Sequence, residues 1–251
     1  KSRLACTSRE SQLKEKKIKI LAGKKLVSFY KNGAELEITL ETGIKFAVQQ
    51  IIIAGDRFGV GPDAEIEKLG VRLGEHQKIF VDEGMMTSLP GVYAVGSITG
   101  ELTSETLSQE EGKVAAENAL GKKRKLNLEW VPQTVRLSPE LSYVGCTMQT
   151  AGRQGFHPVE GVFERDSSID DHGIVTQNRD KFKIVADKRS RLIVGVQVIS
   201  RQSVDWMPLI LLLIKKGVTV GNLANLTHSE GAGIKGLCEA ARKCLLALKT
   251  Q

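Results

Sequence analysis

Apolar and polar positions change their spacing along the chain, and the changes mark out three regions. Up to Ala54, short apolar runs are separated by turn residues. Ile18–Leu21 and Lys25–Tyr30 have the composition of strands, and Leu36–Leu40 alternates apolar with polar, as a half-exposed strand does. Asn32-Gly33 is a hairpin turn signal, Gly43 supplies a second turn, and Gln50–Ala54 reads as a buried strand. Glu65–Leu69 follows as a short helix and Lys78–Val81 as a strand. Leu89-Pro90-Gly91 then makes a sharp turn into Val92–Val95, an apolar strand that Gly96 ends. Leu107–Leu120 has helical spacing, with acidic residues early and Gly121 as a stop. In α/β proteins, strand, glycine, loop and helix place a ligand beyond the strand's carboxyl end, though an ordinary crossover has the same outline.

From about residue 133 the pattern is strands and then helices. Gln133–Leu137, Ser142–Cys146 and Val159–Phe163 are short β segments, and Thr147 is an N-cap for a helix towards Gly152 or Gly155. Phe182–Asp187 and Leu192–Ile199 make a hairpin, and helices are predicted over 202–216, 219–226 and 234–249. The stretch 204–214 is apolar on nearly every face, so it must be covered on more than one side. A second subunit is one source of that cover, and the core of the same subunit is the other.

Composition narrows the function classes. The 251 residues are 41% hydrophobic and 26% charged, as in ordinary globular proteins. The net charge of +7 sits in separate clusters, at Lys14–Lys17, Lys24-Lys25, Lys122–Lys125 and Lys188–Arg191. Aromatics are only 5% and do not interleave with these clusters, which argues against a nucleic-acid surface. Cys6, Cys146, Cys238 and Cys244 show neither metal spacing nor a disulfide framework, so a reducing, cytoplasmic setting is expected. Cys238 and Cys244, six apart on one helix, are expected on different faces. Trp130 is expected to pack at a domain junction. The apolar run 207–214 is too short to cross a bilayer. The literal G-x-G-x-x-G at Gly231–Gly236 follows no strand and has no room after it for a βαβ unit, so it is rejected as a nucleotide site. His76, His157 and His172 lack matching partners, and no Asp, Glu, Cys and His cluster has metal-ligand spacing.

The run T-x-x-P-G-x-Y-A-x-G at Thr87–Gly96, with E-E-G-x-x-A-A-E-N at Glu110–Asn118, resembles the second flavin-contacting segment of the pyridine nucleotide-disulfide oxidoreductases. That family includes dihydrolipoamide dehydrogenase, glutathione reductase and mercuric reductase. Ser138–Gly145 resembles the opening of the family's interface domain, and the hairpin carries its K-x-x-x-D signature at Lys183–Asp187. The resemblance implies an α/β chain with an α+β C-terminal domain. Residues 1–62 would be the end of an NAD-binding domain, 63–130 the return of an FAD-binding domain, and 131–251 the dimerisation domain. Gly96, Ser97, Thr106, Leu107 and Ser108 would touch flavin. The family usually has Asp after that glycine. Ser97 is an uncharged and therefore weaker acceptor.

The family's H-x-H-P-T-x-x-E turn carries its general base, an imidazole held by a carboxylate. In register, the first His matches His228, the catalytic His position holds Glu230, and the orienting Glu position holds Lys235; His228 is the other candidate base, reached by a local loop change that would leave Gly233 at the orienting position. A carboxylate, with an ordinary pKa of about 4.3, is a poor proton shuttle for a dithiol. No glycine-rich FAD or NAD fingerprint and no redox cysteine pair stands in the chain. The resemblance therefore implies the C-terminal part of a divergent FAD-dependent NAD(P)H oxidoreductase, completed by an N-terminal half. It would work as a homodimer through 131–251 and retain no cofactor alone. The other reading is a non-catalytic dimerisation module.

Overall fold

The computed structural model describes residues 13–14, 16–55, 66, 68–100, 104–136, 139–169, 175–228 and 234–249. The chain divides into two compact units, Lys1–Phe58 and Gly59–Gln251.

The first unit contains an antiparallel meander of β1 (Leu26–Asn32), β2 (Glu35–Leu40) and β3 (Lys45–Val48). Asn32 is the last residue of β1, paired with Glu35, so the two-residue turn is Gly33-Ala34, one residue later than the sequence signal suggests. Gly33, at φ +63°, takes the first central position, which in such a turn needs a positive φ. Pairing sets Phe29 opposite Ile38, Ile38 opposite Phe46 and Leu36 opposite Val48, gathering these side chains on one face. The opposite face carries Tyr30, Glu37 and Lys45, with Lys45 Nζ 2.9 Å from Glu37.

Two expected strands of this unit are absent. Ile18 donates its N–H to the Leu13 carbonyl, closing a turn, and Ile18–Leu21 joins no ladder among the described residues. Gln50–Ala54 has no strand partner among the described residues, and Ile52 is 92% exposed. Apolar composition alone does not make a strand; a ladder partner is required.

In the second unit, isolated bridges Leu73–Ile79, Val81–Thr87 and Met86–Tyr93 replace the strands expected at 78–81 and 92–95. Gly91 reverses the chain so soon that only one bridge forms, and Val92 and Val95 point outward while Ala94 is buried. Of the short helix expected over 65–69, Ile66 and Lys68 are helical. Helix α1 (Glu105–Ala119) lays Val114 and Ala115 on Met85, with Val81, Tyr93 and Leu126 around them.

The larger sheet is antiparallel in the order β4-β5-β8-β7-β6, where β4 is Gln133–Val135, β5 Glu140–Gly145, β6 Pro158–Ile169, β7 Val175–Asp187 and β8 Ile193–Ser200. Side chains of β7 alternate between its faces. Phe182, Ile184 and Ala186 join the core under α3 (Ser203–Lys215), α4 (Val220–Ala224) and α5 (Ile234–Lys249). Val185 joins a smaller cluster with Cys146 and Ala151 of α2 (Met148–Arg153), a helix capped by Thr147 as expected. α5 lies close to the sheet because two glycines allow it. A Cβ on Gly161 would strike the backbone of Ala240 and Cys244, and one on Gly236 would strike the Phe182 ring. Cys238 and Cys244, turned apart by their six-residue spacing, are both fully buried. The buried arc of α5 is wide enough, from Gly236 round to Cys238, to include both. Trp130 is 48% exposed in a short 3₁₀ turn, with Lys215 Nζ 5.6 Å from its ring centre.

Candidate functional site

Residues 87–100 form a turn seated against the helix that carries Glu111. Thr87 Oγ1 accepts the N–H of Leu89 at 3.1 Å, Val92 donates to the Leu89 carbonyl, and Thr87 donates to the Val92 carbonyl at 2.8 Å. These bonds close the Pro90-Gly91 reversal. Val95 is extended, and the chain then bends at Gly96, φ +84°, into the 3₁₀ turn Gly96–Ile98. A side chain is disfavoured at that φ. The Gly96 carbonyl accepts from both the N–H and the Oγ1 of Thr99, and the Ile98 carbonyl accepts from Ile79 at 2.8 Å. Gly96 donates its own N–H to Glu111 Oε2 at 2.6 Å.

Glu111 stands on the buried side of α1 with Leu107, Val114 and Ala115, and is only 6% exposed. Burial raises its pKa above the usual carboxylate range, and the bond from Gly96 opposes that rise. α1 begins two residues before the expected Leu107, because Ser104 caps it by accepting the Leu107 N–H at 3.1 Å. Of the residues expected to meet a flavin, Ser97 and Thr106 are exposed and Ser108 is half-buried, its Oγ facing the open side of Gly96. Leu107 is core-buried and its N–H is taken by the cap, so it contributes to seating the helix.

The other end of α1 is held by Asn118. Its Nδ2 donates to the carbonyls of Gly84 and Arg124, and its Oδ1 accepts the Arg124 N–H at 2.7 Å. The basic run beyond Gly121 is tied to the same helix. Arg124 reaches Glu110 and Glu117, each at 3.2 Å, and Lys125 reaches Glu83 at 2.8 Å. A cavity of about 400 Å³ lies against this run. Its cations are largely neutralised, which explains how a basic cluster can be structural.

His228, half-buried, ends the described part of the loop after α4, and Lys235 is exposed in the first turn of α5. Glu230, with most of the Gly231–Gly236 run, lies outside the described residues. Gly236 is inside α5 against Phe182, a packing position. Cys146, Cys238 and Cys244 are free and buried. Burial, together with the Glu129 carboxylate at 3.0 Å, pushes the Cys146 thiol up to about 12, and burial pushes Cys244 to about 11. These are core thiols. No group of three or more potential ligands among the described residues is arranged for a metal. No helix of the described residues is long and apolar enough to cross a membrane.

The site therefore presents Gly96, which has no side chain to obstruct a ligand, the exposed Ser97 hydroxyl, and hydroxyls on the first turn of a 15-residue helix. A neutral, hydrogen-bonding face beside a helix N-terminus fits one wall of a flavin site, where sugar-alcohol hydroxyls and ring carbonyls need partners. Glu111 and Asn118 stand within the E-E-G-x-x-A-A-E-N motif, which by itself assigns neither a role. Their signal was the acidic residue in the second turn of an otherwise amphipathic helix, and a terminal Asn beside a turn.

Comparisons with known proteins place the chain in a family. The sequence model described as pyridine nucleotide-disulphide oxidoreductase matches residues 7–120, and that of the family's dimerisation domain matches 131–230. Dihydrolipoyl dehydrogenase of Thermus scotoductus is 31% identical over 235 residues, 91% of this chain and 50% of that protein. Mercuric reductase of Bacillus cereus is 29% identical over 189 residues, 73% of this chain and 30% of that protein. Among solved structures, LpdA of Mycobacterium tuberculosis superposes with TM-score 0.82 at 20% identity, covering 95% of this chain and 52% of that one. The HOCl-induced flavoprotein disulfide reductase RclA of Escherichia coli gives 0.77 at 18% identity, covering 98% and 56%. The chain spans about half the length of the curated relatives it matches. With both sequence models matched in order along its length, the chain belongs to the pyridine nucleotide-disulphide oxidoreductase family.

Proposed function

We propose that the chain is the C-terminal part of an FAD-dependent NAD(P)H oxidoreductase resembling dihydrolipoyl dehydrogenase, with residues 1–62, 63–130 and 131–251 as the NAD-domain end, FAD-domain return and dimerisation domain. The observation that carries this reading is the Gly96 turn, bonded to Glu111 and set beside the capped end of α1. Flavin, when bound, supplies two-electron transfer between a nicotinamide and an acceptor. The chain's own residues would hold it. Gly96 admits close approach, Ser97 offers a hydroxyl, and Thr106 and Ser108 line the first turn of α1. The His-Glu pair of the family's disulfide reductases is replaced in register by Glu230 and Lys235. Lys235 stands exposed in solvent and His228 is half-buried in the loop before it, which favours an acceptor other than a dithiol. The phosphate cradle and nicotinamide contacts would belong to an N-terminal half.

Visible absorbance tests the cofactor reading. The 251-residue chain alone is expected to retain no stoichiometric flavin, and the intact protein with its N-terminal half to show flavin absorbance in an amount equal to protein. Stoichiometric flavin on the isolated chain would overturn the division of the site. An intact protein that refuses FAD would overturn the oxidoreductase reading.

A homodimer through 131–251 is part of the same proposal. Val204, Leu209 and Leu212 of α3 are exposed apolar side chains of the kind that a second copy covers. Light scattering after size exclusion should give twice the monomer mass, and Leu212→Glu should give a folded monomer. A wild-type monomer at micromolar concentration would remove this part.

A further inference from the structure

Three carboxylates of α1 are placed differently. Glu110 and Glu117 are half-buried and pair with Lys113, Lys122 and Arg124. Glu111 is turned inward, 6% exposed, and among the described residues no ion pair reaches it. Its described bond is the 2.6 Å one from the Gly96 N–H. Tying that turn to the helix requires an acceptor but no charge. A glutamine carbonyl of the same reach would make the bond without the cost of holding an ionised group away from water. A carboxylate at this position therefore adds something that an amide would not, a negative charge directly behind the Gly96-Ser97 turn. The turn itself, Gly96–Thr99, carries no charged side chain to screen or mask it. In a site with little water, one buried charge acts strongly on a bound group.

Building on the flavin reading above, we propose that Glu111 is a positioning residue for the cofactor-contacting turn. Its charge, passed through the Gly96 amide, holds Gly96 and Ser97 in the conformation that meets the flavin and biases a bound flavin towards its oxidised form. The second effect follows from sign alone, because a fixed negative charge disfavours the addition of electrons nearby.

The experiment compares wild type, Glu111→Gln and Glu111→Ala in the intact, flavin-loaded protein. Two readouts are taken, amide hydrogen exchange across 95–99 and the flavin midpoint potential by spectroelectrochemistry. Exchange at Val114 serves as the control for the fold. Glu111→Ala should raise Gly96 exchange by about tenfold or more, the factor expected for one lost charge-assisted hydrogen bond, and should lower flavin occupancy. Glu111→Gln should restore both, yet shift the potential upward, because the acceptor returns and the charge does not. An unchanged potential in Glu111→Gln would overturn the electrostatic role, and wild-type exchange at Gly96 in Glu111→Ala would overturn the positioning role. A wild-type protein that binds no flavin would overturn the cofactor reading instead, and the exchange data would still report whether Glu111 orders the turn.

Discussion

Asp187 ends β7, and the hairpin to β8 is built on its carboxylate. Oδ1 accepts the N–H of His157 at 2.8 Å, and Oδ2 accepts the N–H of Ser190 at 2.8 Å and its Oγ at 2.7 Å. Arg189 donates its backbone N–H as well. Burial by itself would raise the pKa of this group, which is 6% exposed. The donations outweigh burial and hold it at about 2, against an ordinary 3.8. The sign follows from linkage. The folded pKa lies below the unfolded one, so the ionised carboxylate adds stability above pH 3.8, and that stability fades as pH falls towards 2. The full contribution at pH 7 is about 1.8 units at about 1.36 kcal/mol each, or ~2.4 kcal/mol. By the same relation it falls to ~1.3 kcal/mol at pH 3.

Replacing Asp187 by Asn removes the charge and one acceptor while keeping the size. Urea unfolding followed by tryptophan fluorescence reports on the unit that contains Asp187, since Trp130 and Trp206 both lie in it. The variant should lose ~2.4 kcal/mol at pH 7 and about half of that at pH 3. Ser190→Ala, which removes one of the donors, should show a smaller loss with the same pH trend. A deficit that is equal at both pH values would refute the reasoning, because it would mean that the loss comes from hydrogen-bond geometry and not from the ionised charge.

Two further outcomes are expected. Gly236→Ala should destabilise the second unit by about 1–3 kcal/mol in the same assay, because its Cβ would enter the space of the Phe182 ring and α5 must lift from β7; an unchanged midpoint would show that the ring has room to move. Thiol labelling at pH 8 should leave Cys146, Cys238 and Cys244 unmodified in the native protein and reach all three in urea, because burial raises each of their pKa values; peptide mapping that finds native labelling at Cys146 would contradict its enclosure by Glu129 and Gln154.

Local chemistry made the capped and turned elements legible in the sequence. Thr147 announces α2, the Lys183–Asp187 signature marks the hairpin that Asp187 then organises, and α3 and α5 fall within a residue or two of their helical spacing. What failed were segments whose state depends on a neighbour. Ile51–Ile53 has strand composition, but β structure is a property of a pair, and no described strand stands beside it. Val92–Val95 failed for the converse reason. A turn at Gly91 fixes its direction, but leaves length for only one bridge. The candidate site divides in the same way. Gly96 and Ser97 could be found because a glycine after an apolar run has a local backbone meaning. Glu111 could not, because its role depends on a contact with a residue 15 positions earlier in the chain, and a charged residue on a helix is normally solvated. A periodicity reading assigns Glu110 and Glu111 the same polar label. Only the rotation of α1 against Met85 and Tyr93 sends one to Arg124 and the other beneath Gly96. The face of a helix that an acidic residue occupies is thus the step at which sequence pattern gives way to packing, and here that step decides where the buried charge of the site lies.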